Sequence, residues 1–314
     1  MENLAERSTL PSGDRMASVS RVGVLVASRG RPASLAALLA SLRSQHVRAD
    51  QVVVVVTEPS DLPSNLDSSS TVAYSRPGSA IQRNVGLDIL DNETDLVVIL
   101  DDDVLLDPQY IAIMRDAFAS NESLVGATGY VLRDGAAEKQ EISVVDANAM
   151  LQSNAIRAGK TCLTNVGQLF GCNMVVRYRP GAATRFDESM PLYAWLEDVD
   201  FSVRLGRLGL LAHVWDAKCV HRGALSGGRV AHVRMGYTQV ANPVYLRRKG
   251  TLPGGRAAYI EKLARTVPVN LTLALSPHQG RWRRLRLKGN LLAYGDWATG
   301  NLRPSGVLSV RDAR

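Results

Sequence analysis

A chain of 314 residues that is 46% apolar and 21% charged has the make-up of a soluble globular protein with room for a large core, long enough to be an enzyme. Its three cysteines, Cys162, Cys172 and Cys219, are odd in number and lack C-x-x-C spacing, which argues against a disulfide framework or a thiolate zinc site and for a reducing compartment. The net charge of +7 combines two unlike parts: residues 222–314 carry 17 Lys and Arg against 3 acids, residues 1–221 carry 20 against 27, and a catalytic body with an anion-facing C-terminal part is expected.

Residues 1–20 contain Glu2 and Glu6 and no apolar run of the signal-peptide kind, and they read as a disordered segment. No stretch reaches the roughly 18 apolar residues of a spanning helix, so a cytoplasmic protein is expected. "RVGVLVAS" at 21–28 reads as a short buried strand, and Pro32 opens a helical pattern through Leu35, Leu38, Leu39 and Leu42. "QVVVVVT" at 51–57 is apolar throughout, as a strand covered on both faces would be. After the polar stretch "EPSDLPSNLDSSS" come a third strand, "TVAYS", a helix over 80–90 and a fourth strand, "DLVVIL". A helix from Pro108 toward Phe118 and a fifth strand, "SLVGATGYVL", follow. This alternation predicts an α/β fold, a Rossmann-like mixed, mainly parallel sheet flanked by helices. Ligands of such sheets gather at the carboxyl ends of the strands.

At one such end stands "LVVILDDDVLLDP", residues 96–108. Carboxylates about 4 Å apart repel by about 4 kcal/mol at an effective dielectric near 20. A hard divalent cation among them removes that repulsion. Strand alternation lets Asp101 and Asp103 project together while Asp102 points elsewhere. A solvated loop or a helix cap is the competing reading, although Asp107, directly before Pro108, is better placed to cap.

Five segments in order, "VGVLVASRGRPASLAALLASLRSQ", "QVVVVV", "AIQRNVGLDIL", "LVVILDDDVLLDPQYI" and "WLEDVDFSVRLGRLG", resemble the family 2 glycosyltransferases with the A-type nucleotide-sugar fold, over residues 20–225. The resemblance implies a catalytic domain at 21–225, with a nucleotide-binding half at about 21–130 and an acceptor half at about 131–225, followed by a basic, helical extension at 226–314. It implies that Ala27, Ser28 and Arg29 lie near the nucleotide base, that Arg31 orients the base or a phosphate, and that Glu58 contacts the base edge. Glu58 stands in "TEPSD" where the family commonly has "DDGS". In "SAIQRNVGL", Arg83 is expected to pair with a phosphate or with the aspartates, and Asn84 to anchor the loop. Asp101 is assigned to ribose or sugar hydroxyls and Asp103 to a divalent ion, Mn²⁺ or Mg²⁺, bridging the diphosphate, with Asp102 adding to the same site. Gly171, Cys172 and Asn173 are expected to line the donor sugar, Cys172 as a small packing residue rather than a nucleophile.

Glu197 and Asp198 open an amphipathic helical pattern, where the helix dipole favours carboxylates, so capping is one reading of them. The resemblance makes Asp198 the catalytic base, with Glu197 second, taking a proton from an acceptor hydroxyl in an inverting displacement. Asp200 is expected to cap or to face solvent. His221, after the strand "LLAHVWDAKCVH", is placed on the metal or the diphosphate, with a purely structural role as the alternative; Arg222 and Ser226 are further candidates, and His213 reads as core. In the extension, "YTQVANPVYLRRKG" reads as a helix covering the acceptor side. The five basic residues between Arg281 and Lys288 alternate with Trp282, Leu285, Leu287 and Leu291 and suit an anionic membrane surface, in preference to nucleic acid or simple solvation.

The sequence thus reads as an inverting, metal-dependent glycosyltransferase. It would move a sugar from a UDP- or dTDP-sugar to a glycan or lipid-linked acceptor, in cell-surface polysaccharide or exopolysaccharide assembly at the inner face of a bacterial membrane. A sugar-nucleotide nucleotidyltransferase, for which "SRGRP" offers few glycines, and a non-catalytic nucleotide-binding or membrane scaffold are the alternatives.

Overall fold

The computed structural model describes residue 19 and residues 21–154, 162–179, 184–224, 231–276 and 279–312. The segment read as disordered, apart from Val19, and Ser226 lie outside the described residues. The chain forms two compact units. One draws on Met1–Arg76, Gln82–Arg185 and Arg204–Leu225, the other on Pro77–Ile81, Phe186–Val203 and Ser226–Arg314. The second unit therefore includes Glu197 and Asp198, which the sequence reading groups with residues 21–225.

The first unit is built on one sheet. Its strands are β1 (Val22–Ala27), β2 (Gln51–Val56), β3 (Ser70–Tyr74), β4 (Leu96–Asp101), β5 (Val104–Leu106), β6 (Leu124–Asp134), β7 (Leu163–Asn165), β8 (Asn173–Arg177) and β9 (Leu210–His221). They lie in the order β3-β2-β1-β4-β8-β6-β9-β5, with β7 also paired to β9. The pairs β1–β2, β2–β3, β1–β4 and β6–β9 are parallel, while β8 runs antiparallel to β4 and β6. Valine and leucine dominate because both faces are covered. On one face Val24, Val26, Val54 and Val98 pack with Leu35 and Leu38 of α1 (Pro32–Arg43) and Met114 and Phe118 of α3 (Tyr110–Ala119). On the other, α2 (Ser79–Ile89) comes so close that a Cβ on Gly86 would lie 2.0 Å from Leu25 Cδ1. A larger residue there would have to displace the buried Leu25 side chain.

Several features depart from the sequence reading. Strand β5 was not foreseen; it is only three residues long, too short to show a period, and it is held by antiparallel pairing to Cys219–His221 of β9. Helix α3 starts at Tyr110 rather than Pro108, because the Asp107 carbonyl accepts from Tyr110 N and its carboxylate from Gln109 N, making a turn first. His213 is half-buried rather than core: its ring packs edge-on against Trp215 and Tyr130. Residues 135–153, which had no reading, form α4 (Gly135–Glu138) and α5 (Val144–Ser153), capped by Asp134 and Ser143.

Asn173, expected to line the donor sugar, is fully buried. Its amide oxygen accepts from Gly129 N (2.6 Å), Thr128 Oγ1 (3.0 Å) and Tyr110 Oη (3.1 Å), so the side chain serves the join between β8, β6 and α3. Asn173→Ala strands the Gly129 N and Tyr110 Oη donors, while Thr128 Oγ1 keeps the Asn173 carbonyl at 3.0 Å, and is expected to cost about 2–3 kcal/mol, read as a lower urea midpoint at unchanged slope.

The second unit is helical. It contains the start of α6 (Glu197–Leu205), then α7 (His232–Lys249), α8 (Gly255–Leu273), α9 (Gly280–Ala298) and a 3₁₀ turn at Pro304–Ser309. Helices α7 and α9 touch backbone to backbone: a Cβ on Gly236 would lie 2.0 Å from Arg286 O, and one on Gly289 2.0 Å from Val233 O. Val233, Tyr237, Val240 and Val244 of α7 form the core of the unit with Leu263, Ala293, Leu302 and Val307.

Asp200, expected to cap or face solvent, is instead fully buried, accepting from Thr251 Oγ1 at 2.6 Å and pairing with Lys249 Nζ at 2.9 Å. Lys249 also pairs with Asp187, which accepts from Tyr245 Oη at 2.7 Å. Burial alone would raise the Asp187 carboxyl, but the bonds from Lys249 and Tyr245 outweigh it and bring it down to about 2. A depressed carboxyl stabilises fully above its unfolded value near 3.8 and loses that contribution as the pH falls toward 2. Unfolding midpoints should therefore drop between pH 4 and 2, and Asp187→Asn should flatten that drop.

Candidate metal and nucleotide site

Parallel pairing sets Ala27 beside Asp101, so the carboxyl ends of β1 and β4 deliver Ser28, Asp101, Asp102 and Asp103 to one place. Strand β9 ends at His221, opposite Val104 of β5. One ligand atom each from Asp101, Asp103 and His221 lies within 4.8 Å of the others. His221 Nδ1 is 2.8 Å from Asp134 Oδ1, and Nε2 is 3.3 Å from Asp103 Oδ1. Asp134 thus lies beside Nδ1 without an aligned hydrogen bond; a carboxylate at that position is the usual neighbour behind a ligating histidine.

Asp103 is the hub. Its Oδ2 accepts from Ala224 N at 2.8 Å and faces Arg31 Nη1 at 3.3 Å. Burial would raise its carboxyl, yet the close contact with His221, with Arg31 behind it, holds it well below the usual carboxylate range. His221 moves the other way: burial would lower it, but the carboxylates of Asp103 and Asp134 on either side of the ring raise it above the ordinary imidazole value. Neither Asp103 Oδ1 nor His221 Nε2, both buried, makes an aligned hydrogen bond within the protein. Two carboxylates and an imidazole with such atoms turned inward fit a hard or borderline divalent cation.

Asp102 is outside the ligand group; β4 ends at Asp101, and Asp102 and Asp103 lie in the turn before β5. Arg31 grips it through Nη2 (2.7 Å) and Nε (3.1 Å), and Ser28 Oγ donates at 2.6 Å. Burial pushes its carboxyl up to about 7 against the opposing pull of Arg31. The residue expected to orient a base or phosphate, Arg31, is thus committed to Asp102 and Asp103 in this structure. Arg83 Nη2 pairs with Asp101 at 2.9 Å and donates to Gly171 O at 3.1 Å. Asn84 and Cys172 are buried nearby in sequence, and burial also pushes the Cys172 thiol up, which suits a packing residue. Ala27 is half-buried, and Arg29 and Glu58 are exposed. Arg222 turns from the site, its Nε donating to Ile142 O and its Nη2 pairing with Glu141.

Three residues were missed from sequence. Asp134 serves both as the partner of His221 and as the cap of α4, accepting from Ala136 N and Ala137 N. Asp61, almost fully buried, accepts from Gly30 N (2.6 Å), Thr57 Oγ1 (2.7 Å), Thr57 N and Glu58 N, and so ties the β1–α1 loop to the exit of β2. Burial opposes its charge, but these bonds outweigh it and lower the carboxyl. Gln82 Nε2 donates to Ser28 O and Val55 O, pinning the same two strand ends. A polar stretch after a strand is the only signal for Asp61 that the sequence holds.

Glu197 and Asp198, both half-buried, open α6 in the second unit. The segment before them is strained: Leu192, Ala194 and Leu196 all have positive φ (62°, 44° and 77°). It is held by burial of Ala194 and Leu196 with Met190, Val199 and Leu246, and by Asn242 Nδ2 donating to Trp195 O at 2.7 Å. Such strain persists only where packing over-determines it, and it gathers at functional sites. Asp198 Oδ1 accepts from Val199 N at 2.9 Å, so the capping reading is also met.

No family model matches the chain, and no curated protein does. Among solved structures it resembles the mannosyltransferase PcManGT from Pyrobaculum calidifontis in complex with GDP-Man and Mn²⁺, at 16% identity and a TM-score of 0.53, over 98% of this chain and 82% of that one. It also resembles TarS of S. aureus (15% identity, TM-score 0.47, 83% of this chain and 45% of that one). A third is GalNAc-T7 with UDP, GalNAc and Mn²⁺ (12%, 0.48, 82% and 58%). At 16% identity the first likeness establishes architecture alone: the chain has the mixed α/β fold of the A-type glycosyltransferases.

Proposed function

We propose that the protein is a metal-dependent glycosyltransferase of the family 2 kind, moving a sugar from a nucleotide-diphosphate donor to a hydroxyl of a glycan or lipid-linked acceptor. The observation that carries this reading is the group Asp101, Asp103 and His221 at the carboxyl ends of β4 and β9, with Arg31 and Arg83 beside it. The mannosyltransferase of like fold, described with GDP-Man and Mn²⁺, supports it.

Asp101, Asp103 and His221 would hold Mn²⁺ or Mg²⁺, which neutralises a diphosphate and stabilises the charge of the leaving nucleotide. Arg83 holds Asp101 in place and is within reach of a phosphate; Arg31 balances the charge of Asp102 and Asp103. Ala27, Ser28, Arg29 and Glu58 take the base, with UDP or dTDP as the donor nucleotide and GDP as the alternative. Gly171 and Asn84 complete the donor side. Asp198, with Glu197 as second choice, takes the acceptor proton, and direct attack at the anomeric carbon inverts the configuration. Polysaccharide assembly on the inner side of a bacterial membrane is the setting we assign.

The test is turnover. The full chain is incubated with Mn²⁺, a panel of UDP-, dTDP- and GDP-sugars and simple glycoside acceptors, and nucleoside diphosphate release and product anomer are followed. Metal-dependent release with an inverted product supports the reading. Release that survives chelation contradicts the metal role, and a retained anomer contradicts the displacement.

A further inference from the structure

The second unit exposes apolar side chains that its core does not use. On α8, Ile260, Ala264, Pro268 and Leu271 (56% exposed) are all exposed, as is Leu275 (87%) just past the helix end. Their spacing of i, i+4, i+8, i+11 and i+15 puts them on one helix face, while Leu263 and Asn270 point into the unit. On α9, Leu291 (58% exposed), Leu292 and Trp297 are exposed as well.

The two helices are antiparallel neighbours. Arg284 Nη1 donates to Ala274 O, Asn270 Nδ2 to Asn290 Oδ1 at 2.7 Å, and Tyr294 Oη to Leu263 O at 3.1 Å. Leu275 therefore lies at the end of the pair that carries Arg281 and Arg284. Arg284 and Lys288 share a shallow groove on α9 with Leu287, Leu291 and Leu292. Residues 255–298 hold eight Lys and Arg against two acids, and both acids are engaged, Glu261 with Arg265 and Asp296 with Tyr237.

We infer that the α8–α9 pair docks on an anionic bilayer surface, its exposed leucines entering the headgroup boundary and Arg281, Arg284 and Lys288 meeting lipid phosphates. Charge complementarity selects this occupant. A second copy would set two basic faces against each other, and a nucleic acid would neutralise the cations but leave the leucines in water. No helix among the described residues is long and apolar enough to cross a membrane, so the contact is interfacial. The face differs from the segment expected from sequence: within Arg281 to Leu291, Arg283 and Arg286 stack on Trp282 at 4.1 and 4.6 Å, and Gly289 and Asn290 are buried. Helix α8, whose apolar outer stripe had no reading, carries much of the surface. The inference rests on the proposed reaction only in that a lipid-linked acceptor would be met there.

Vesicle flotation with the full chain tests it. The wild type should float with phosphatidylcholine vesicles containing 30% phosphatidylglycerol and at least tenfold less with pure phosphatidylcholine. Leu271→Glu with Leu275→Glu, and separately Arg281→Gln with Lys288→Gln, should each weaken flotation about tenfold or more. These side chains are exposed, so melting temperature and the nucleotide-plus-Mn²⁺ shift should stay as in the wild type. Wild type that does not float, leucine variants that float as well as it does, or a wild-type dimer that the leucine variants split, would each overturn the inference. Flotation as expected without any nucleotide response supports this face and counts against the proposed reaction instead.

Discussion

Changing Asp103 to asparagine is expected to lower sugar transfer by about 10³-fold or more and to abolish its response to Mn²⁺. The asparagine oxygen can keep the 2.8 Å bond from Ala224 N, but the anionic ligand is gone, and with it the counter-charge to Arg31 and His221. A stability loss of about 1–3 kcal/mol should accompany it, because the partly buried Arg31 and the buried His221 lose an anionic partner. Asp102→Asn is the discriminating comparison. Asp102 touches Arg31 and Ser28 rather than the ligand group, so its change should cost no more than about tenfold in rate. Equal losses at the two positions would mean that the triplet acts through its summed charge, not through ligation.

The second large effect is at Asp198. Asp198→Asn should reduce kcat by about 10²–10⁴-fold while leaving nucleotide binding within about twofold, since proton removal is lost but the donor contacts are not. The asparagine oxygen can still accept from Val199 N, so the start of α6 keeps its cap and the melting temperature should hold. Glu197→Gln should cost far less. A reversed order of the two variants, read as kcat at saturating donor, would move the base to Glu197.

The sheet was legible because parallel strands covered on both faces are written as unbroken valine and leucine runs, as in β1, β2 and β4. Strand β5 was not, since three residues carry no period and its pairing is decided by β9 far along the chain. The acidic triplet stands out in the sequence because crowded carboxylates have no cheap explanation; strand alternation does not govern it, since Asp102 and Asp103 lie in a turn beyond β4, and only Asp101 and Asp103 join the group with His221. His221 could be read only through the order of motifs. Asp134 has no signature in the sequence, and Asp61 only that of a polar stretch after a strand: their partners are an imidazole and loop amides brought near by folding. Asn173 misled for the opposite reason. It follows Gly171 and Cys172 at the head of β8, as a pocket-lining residue would, but its amide closes the hydrogen bonds of a packed junction. Asp200 looked like a surface acid in an acidic helix start, and only the fold brings Lys249 and Thr251 to it.

The proposed transfer depends on a divalent metal held by Asp103 that binds a nucleoside diphosphate. The most direct measurement is the melting temperature of the full chain with UDP, dTDP and GDP, each with and without Mn²⁺, for the wild type and Asp103→Asn. Ligand bound to the native state raises the melting temperature by mass action. A rise is expected with one nucleotide that requires Mn²⁺ and is absent in Asp103→Asn. No rise with any nucleotide in well-folded wild type, or a rise that Asp103→Asn retains in full, would contradict it.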